Sequence, residues 1–391
     1  MSFVTALYAQ PDHRVVETLL PGITETWLPP AAAAQRFEVV PGLVPVAVRP
    51  TGGVGRGLLY VADLGTHPFR EWQFMYTLDH LARGGLVGER FVTDLSLLDQ
   101  PGVGRDGLDP QGLILHVSRC GSTLLSKALA RLDDTVMITQ GGPLQRGFWA
   151  AQCDDWRGDL LSDPATPARL RTLVRLMTRR RRGHERRAFV KFISWNVMVR
   201  DTIECAWPGT PTLFLYRDPV EVIASVFKET TAVLEAKGTA QAAFLTGQPA
   251  AATETMSDAD YLAQCYRGYF KAALDAPMTT PLTFLNYRQM KEPSRFQDVI
   301  ARGLAHRPTA EQLGTMIAQF DTHSKDDANT QPFQDDDLAK RRSLPEDAVR
   351  RIRQICGDLT NRLDADARNL YPAAAEFSPT AVLSPSDGPM L

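Results

Sequence analysis

An apolar run, Leu113 to Val117, leads into Ser118-Arg119-Cys120-Gly121-Ser122-Thr123, and the helix-forming stretch Leu124-Leu125-Ser126-Lys127-Ala128-Leu129 follows at once. A strand, a short loop with glycine and hydroxyls, and a helix start in that order aim several backbone N–H groups and the positive helix end at one point. A phosphate or similar anion can sit there. Gly121 permits close approach, Ser122 and Thr123 add hydroxyl donors, Cys120 and Leu124 complete the turn, and Arg119 supplies a full charge. The loop is not a Walker A motif, because G-x-x-x-x-G-K-[ST] needs a lysine directly before the hydroxyl residue and Gly121 stands in that place. That weighs against an ATP or GTP hydrolase. The same text also accommodates a plain strand–turn–helix in which Ser122 only caps the helix.

A second apolar run, Thr212 to Tyr216, is followed by Arg217-Asp218-Pro219-Val220-Glu221-Val222-Ile223-Ala224-Ser225. Pro219 suits the first helical position and Asp218 the helix N-terminus. Arg217 at the strand end and Ser225 two turns into the helix are placed to hold a second phosphate; the plainer alternative is an arginine paired with Asp218.

These segments must be positioned by a larger framework. The chain has 391 residues, 44% of them apolar and 23% charged, with 43 Lys+Arg against 45 Asp+Glu. A net charge of −2 gives no global field for nucleic acid or an anionic membrane, so any anion is bound locally. Five scattered cysteines include no C-x-x-C pair, which favours a reducing compartment and offers no zinc site. Charged residues from Asp12 onward interrupt any signal-peptide core, and no run of about 18 apolar residues follows. A cytoplasmic location is expected.

Residues 1–109 alternate short apolar runs with Pro and Gly and suggest a small α+β module, with a strand at Leu58 to Asp63 and a helix at Phe69 to Ala82. Gln100 to Gln111, rich in Gly and Pro, marks the boundary. Beyond it, strands are expected at Leu113 to Val117, Val136 to Thr139, Ala188 to Ile193, Thr212 to Tyr216 and Leu282 to Leu285. Helices are expected at Thr123 to Leu132, Pro167 to Arg181, Pro219 to Lys228, Asp258 to Leu274 and Pro345 to Leu363. This alternation predicts a doubly wound α/β fold, a parallel sheet flanked by helices over residues 110–376. Glu235 to Ser257 reads as an insertion or lid, and residues 377–391 as a flexible tail.

The two anion-binding segments together resemble the family of sulfotransferases that use PAPS, 3′-phosphoadenosine 5′-phosphosulfate, and the wording around Gly121 is closest to its bacterial branch. There, a [KR]-x-G-[ST]-T loop binds the 5′-phosphosulfate, and an R-D-P segment with a serine eight residues after the arginine binds the 3′-phosphate. Arg119 to Thr123 and Arg217 with Ser225 match both patterns in the same order. The resemblance spans roughly Leu113 to Lys340 and implies a P-loop-type sheet, PAPS as co-substrate with PAP as product, no required metal, and a hydroxyl or amine acceptor on a small molecule or peptide. It further implies that Tyr287 stacks on adenine, that Lys325 and Lys340 lie in a basic loop over the 3′-phosphate, and that Lys191 faces the transferring group.

Sulfuryl transfer is an in-line displacement driven by positioning and by stabilisation of charge on the leaving group. The acceptor proton also needs a destination. Animal members resembling this fold carry a His two residues after the lysine, where this chain has Ile193; many bacterial members carry a Glu where it has Gln140. Gln is not a base, and an unreplaced base costs about 10²–10⁴ in rate. His323, in a polar loop, and His116, inside a strand where a core role fits as well, are the candidate substitutes. A PAPS- or PAP-binding protein with weakened turnover, and more remotely a P-loop phosphotransferase, are the rival readings. Arg179 to Arg182 with Arg186 and Arg187 read as a solvated helix end or, less simply, as a contact for an anionic acceptor. Asp335 to Asp337 read as a solvated loop. Phe148, Trp149, Trp156 and Trp195 are candidates for an acceptor pocket or for core packing.

Overall fold

The computed structural model describes residues 11–159, 163–228, 232–290, 292–321 and 344–373. The chain is α/β. Its N-terminal part holds a four-stranded sheet of β1 (Trp27–Leu28), β2 (Leu43–Pro50), β3 (Gly57–Asp63) and β4 (Arg90–Asp94) in the order β1-β4-β3-β2. β2–β3 and β3–β4 pair antiparallel and β1–β4 parallel. The second sheet contains β5 (Gly112–His116), β6 (Thr135–Thr139), β7 (Arg187–Lys191), β8 (Thr212–Tyr216) and β9 (Leu282–Asn286), all parallel, in the order β6-β7-β5-β8-β9. β5, β6 and β8 are buried along their whole length, the state in which a strand is written as an unbroken apolar run.

The connection leaving β5 runs to β6 on one side and the one leaving β8 runs to β9 on the other. Adjacent strands whose connections diverge open a crevice at their carboxyl ends. Both segments that the sequence offers for anion binding begin there, one on β5 and one on β8.

Three helix boundaries differ from those the sequence predicts. The helix expected over Pro167 to Arg181 is Thr166–Met177. Thr178 ends it because its hydroxyl donates to the Leu108 carbonyl at 2.6 Å, and Arg179 bridges to Gly107. The helix expected from Phe69 starts at Phe74, with Gln73 extended. Arg181 holds residues 65–69 in a loop by donating to the carbonyls of Gly65 and His67 and lying over the Phe69 ring at 4.0 Å. The last long helix is two, Glu346–Cys356 and Leu359–Ala365, broken at Gly357, whose φ of 56 is open to glycine.

The arginine cluster is therefore neither a solvated helix end nor an open anion contact. Arg179 is buried and donates to the carbonyls of Phe37 and Val40 and to Asp106. Arg182 pairs with Asp133 and Glu185, and Arg187 with Asp134; Arg180 and Arg186 are exposed. Arg179 and Arg181 fasten the N-terminal part to the larger sheet, each offering a fork of donors to backbone carbonyls, those of Phe37 and Val40 and those of Gly65 and His67.

β2 completes this junction. Its carbonyls at Val46 and Val48 face Gly142 and Gly147, where a Cβ would lie 2.3 and 2.0 Å from them, so only glycine lets the 142–152 segment approach this closely. Asp12 closes the other side, its carboxylate accepting the Arg146 N–H at 3.2 Å. One hydrophobic core runs through both sheets. Among the described residues, no helix is long and apolar enough to cross a membrane.

Burial, opposed by Arg146 and two backbone N–H groups, lifts the Asp12 carboxyl from 3.8 to about 6. The folded protein then holds this proton more tightly than the unfolded chain, so Asp12 costs nothing below about pH 4 and its full penalty, about 3 kcal/mol, above pH 6. Asp12→Asn keeps an acceptor for the Arg146 N–H. Urea denaturation is expected to show it more stable than the parent at pH 7 by about 2–3 kcal/mol and indistinguishable near pH 3.5. An equal gain at both pH values would refute the assignment.

Candidate active site

β5 ends at His116, and the helix Ser122–Ala130 starts six residues later. The turn between them requires left-handed backbone at Arg119, φ 59, and at Gly121, φ 79. For a residue with a Cβ, such as Arg119, this conformation is costly, and such strain collects at functional positions. Gly121 is the N-cap, and no side chain caps the first turn. Ser122 therefore does not have the capping role that the plainer sequence reading allows. Cys120 locks the turn by donating from Sγ to the Val117 carbonyl at 2.8 Å; burial pushes its thiol up to about 11, which makes it inert as a nucleophile. Leu124 packs on the core and its N–H closes on the Gly121 carbonyl at 3.0 Å.

Four strand ends meet around this loop. From β7, Lys191, 1% exposed, donates from Nζ to Thr123 Oγ1 at 3.1 Å. From the helix after β8, Ser225 accepts the Arg119 Nε–H at 2.8 Å. Arg217, at the end of β8, donates to the Arg119 carbonyl at 3.1 Å and lies over the Tyr287 ring at 4.4 Å. Tyr287, directly after β9, also covers Gly121, where a Cβ would come within 2.9 Å of its ring. The β5 loop and the β8 segment are thus in direct contact, joined by the Arg119–Ser225 and Arg217–Arg119 hydrogen bonds.

Two members of this group were not singled out in the sequence. Glu221, 1% exposed, accepts from Arg217 Nε at 2.8 Å, and Arg288 reaches its other oxygen at 3.3 Å. Asp218 is not the partner of Arg217; it caps the helix Pro219–Lys228 by accepting the Val220 N–H at 2.8 Å. The i,i+4 spacing of Arg217 and Glu221 was the available signal. Among the described residues, two arginines surround one carboxylate, with Arg119 beside them.

On the other flank, Gln140 ends β6 in left-handed backbone, φ 51, and its N–H donates to the Lys191 carbonyl at 2.8 Å. Its side-chain Nε2 lies 3.4 Å from His116 Nε2, and its Oε1 accepts from Gln73, a residue of the N-terminal part. His116 is buried with ring nitrogens 2.8 Å from the Val117 carbonyl and 3.0 Å from that of Phe192. Burial first, then the charge of Lys191, hold its pKa down to about 3, so the ring is neutral. Tyr266 lies against the same loop, its phenol pushed up by burial and hydrogen-bonded to Ser118.

The aromatic residues form one cluster: Trp195 lies 6.1 Å from Trp149, 5.1 Å from Trp156 and 6.3 Å from Phe244, with Phe148 edge-on to Trp149 at 5.2 Å. Phe148, Trp149 and Trp195 are core residues, whereas Trp156 and Phe244 are partly exposed. Phe244 belongs to the segment expected as an insertion, which folds into the short helices Ala240–Thr246 and Ala250–Glu254. A pocket lined by Arg200, Trp207, Thr212 and Leu282 opens at the amino ends of β8 and β9, the opposite rim of the sheet, and is no part of this site. His323, Lys325, Lys340 and Asp335 to Asp337 lie outside the described residues. No family model matches the chain, and no curated protein matches it either.

Proposed function

We propose that the protein is a PAPS-dependent sulfotransferase built on a P-loop-type, doubly wound core, moving a sulfuryl group to a hydroxyl or amine on a small molecule or peptide. The observation that carries this reading is the direct contact between the β5 loop and the β8 segment. Two cation-bearing loops joined through Arg119, Ser225 and Arg217 suit the two ends of one nucleoside bisphosphate better than two separate ligands. On this reading the N–H groups at the start of the helix, from Gly121 to Thr123, and Arg119 hold the 5′ side, and Arg217 and Ser225 the 3′-phosphate, with Arg288 beside them. The acceptor oxygen or nitrogen attacks sulfur, the bond from sulfur to the 5′-phosphate oxygen breaks, PAP leaves, and the acceptor proton passes to solvent or a base. Lys191 and Arg119 stabilise the negative charge that grows during this step.

A second reading, a PAPS- or PAP-binding protein with weak turnover, is favoured by one observation. The groups beside Lys191 are an amide engaged with Gln73 and a histidine held neutral down to about pH 3.

Titration calorimetry with adenosine 3′,5′-bisphosphate and with ATP tests the binding claim. The bisphosphate is expected to bind at least about tenfold tighter, a difference of about 1.4 kcal/mol. Equal or stronger ATP binding defeats both readings. Turnover that appears only in Gln140→Glu, in an assay with alcohol, phenol and amine acceptors, selects the second.

A further inference from the structure

We propose that Gln73, contributed by the N-terminal part of the chain, is a positioning residue of the site: through Gln140 it sets the direction of a hydrogen-bond chain that fixes His116 as its Nδ1–H tautomer. The ends of β5, β6 and β7 stand side by side here, so His116, Gln140 and Lys191 are neighbours across the sheet. A neutral imidazole has one proton, and both of its nitrogens face carbonyl oxygens. The nearer carbonyl, Val117 at 2.8 Å, takes it, because two lone pairs facing at that distance repel more than at the 3.0 Å to Phe192. Nε2 is then an acceptor, and the group facing it at 3.4 Å is the Gln140 amide nitrogen. That orientation of Gln140 turns its oxygen to Gln73, which donates to it. The chain runs Gln73 to Gln140 to His116 to the Val117 carbonyl, each link donating to the next.

This chain accounts for an amide rather than a carboxylate at position 140: a glutamate there would set lone pairs against Nε2. It also gives residues 11–109 a share in the site, since the Gln140 side chain is held by Gln73 from the N-terminal side. The effect on rate rests on the sulfuryl-transfer reading; the tautomer does not.

Nitrogen-15 NMR of the histidine rings in the full-length protein, with His116→Gln for assignment, tests the inference. The wild type is expected to show His116 as a single Nδ1–H tautomer. Gln73→Glu keeps length and shape but accepts instead of donating, so Gln140 must reverse and the tautomer is expected to switch to Nε2–H. Gln73→Ala is expected to give a mixture of the two and to lower kcat about ten- to a hundredfold with unchanged bisphosphate affinity. An Nε2–H wild type overturns the inference, and so does the same spectrum for all three proteins. A protein that neither binds the bisphosphate nor transfers sulfuryl groups defeats the functional reading, and the spectra still decide the tautomer.

Discussion

Arg217→Ala is expected to lower stability by about 3 kcal/mol and to weaken adenosine 3′,5′-bisphosphate binding by about ten- to a hundredfold. Arg217 is 2% exposed and Glu221 1%, so truncating the arginine strands a carboxylate that is fully out of water. Breaking a buried pair from one side costs about 3–5 kcal/mol, because the remaining charge is unpaired. Arg288 holds the other carboxylate oxygen, which places the expected loss at the lower end. Loss of binding has a separate origin: charge-assisted hydrogen bonds to a phosphate are worth about 1.5–3 kcal/mol. Arg217→Ala combined with Glu221→Gln separates the two effects. The double variant removes the stranded charge and is expected to recover most of the stability in thermal denaturation while binding stays weak in calorimetry. Recovery of binding together with stability would show that Arg217 acts only on the fold.

Lys191→Met is expected to reduce sulfuryl transfer by about 10²–10³ while changing bisphosphate affinity less than tenfold. Lys191 is buried at the end of β7, with Nζ on Thr123 Oγ1 at 3.1 Å, so it reaches the loop from the side opposite Ser225 and Arg217. On the sulfuryl-transfer reading, a cation placed there would contribute mainly where charge develops during transfer, and Arg217 would hold the bisphosphate. Met has similar length without the charge, so the substitution keeps the packing at the end of β7 while removing the cation and its hydrogen bond to Thr123. The charge of Lys191 also helps to hold His116 down to about 3. Its removal is therefore expected to raise the His116 pKa, which histidine NMR across pH 3 to 7 reads directly. An unchanged His116 together with an unchanged rate would remove Lys191 from the site.

Much of the framework was legible before any coordinates. All five parallel strands lie within two residues of their expected positions, because a sheet covered on both faces needs contiguous apolar runs, and such runs are local text. The β5 turn was legible for a similar reason: glycine, hydroxyls and arginine between a strand and a helix constrain the backbone within six residues. Pro219 and Asp218 marked their helix start correctly.

What chain-local text could not determine was which side chains meet. Helix ends at Met177 and Phe74 were decided by Leu108 and Arg181, residues distant in the chain, overriding propensity at the boundary. The arginine cluster has the same composition whether solvated or buried; carbonyls of Phe37, Val40, Gly65 and His67 decided that it is a fastening. Arg217 pairs with Glu221 and not Asp218 because Asp218 turns its carboxylate to the Val220 N–H at the helix start, while Glu221 lies in the first turn of that helix, within reach of the strand end. Gln140 stands 67 positions from Gln73 and 24 from His116, and Arg119 stands 106 from Ser225. Spacing and side-chain type are written in the chain, and they determined the elements. Contacts over such separations exist only once two sheets have packed, since the closure of long loops and the burial of both partners select them together.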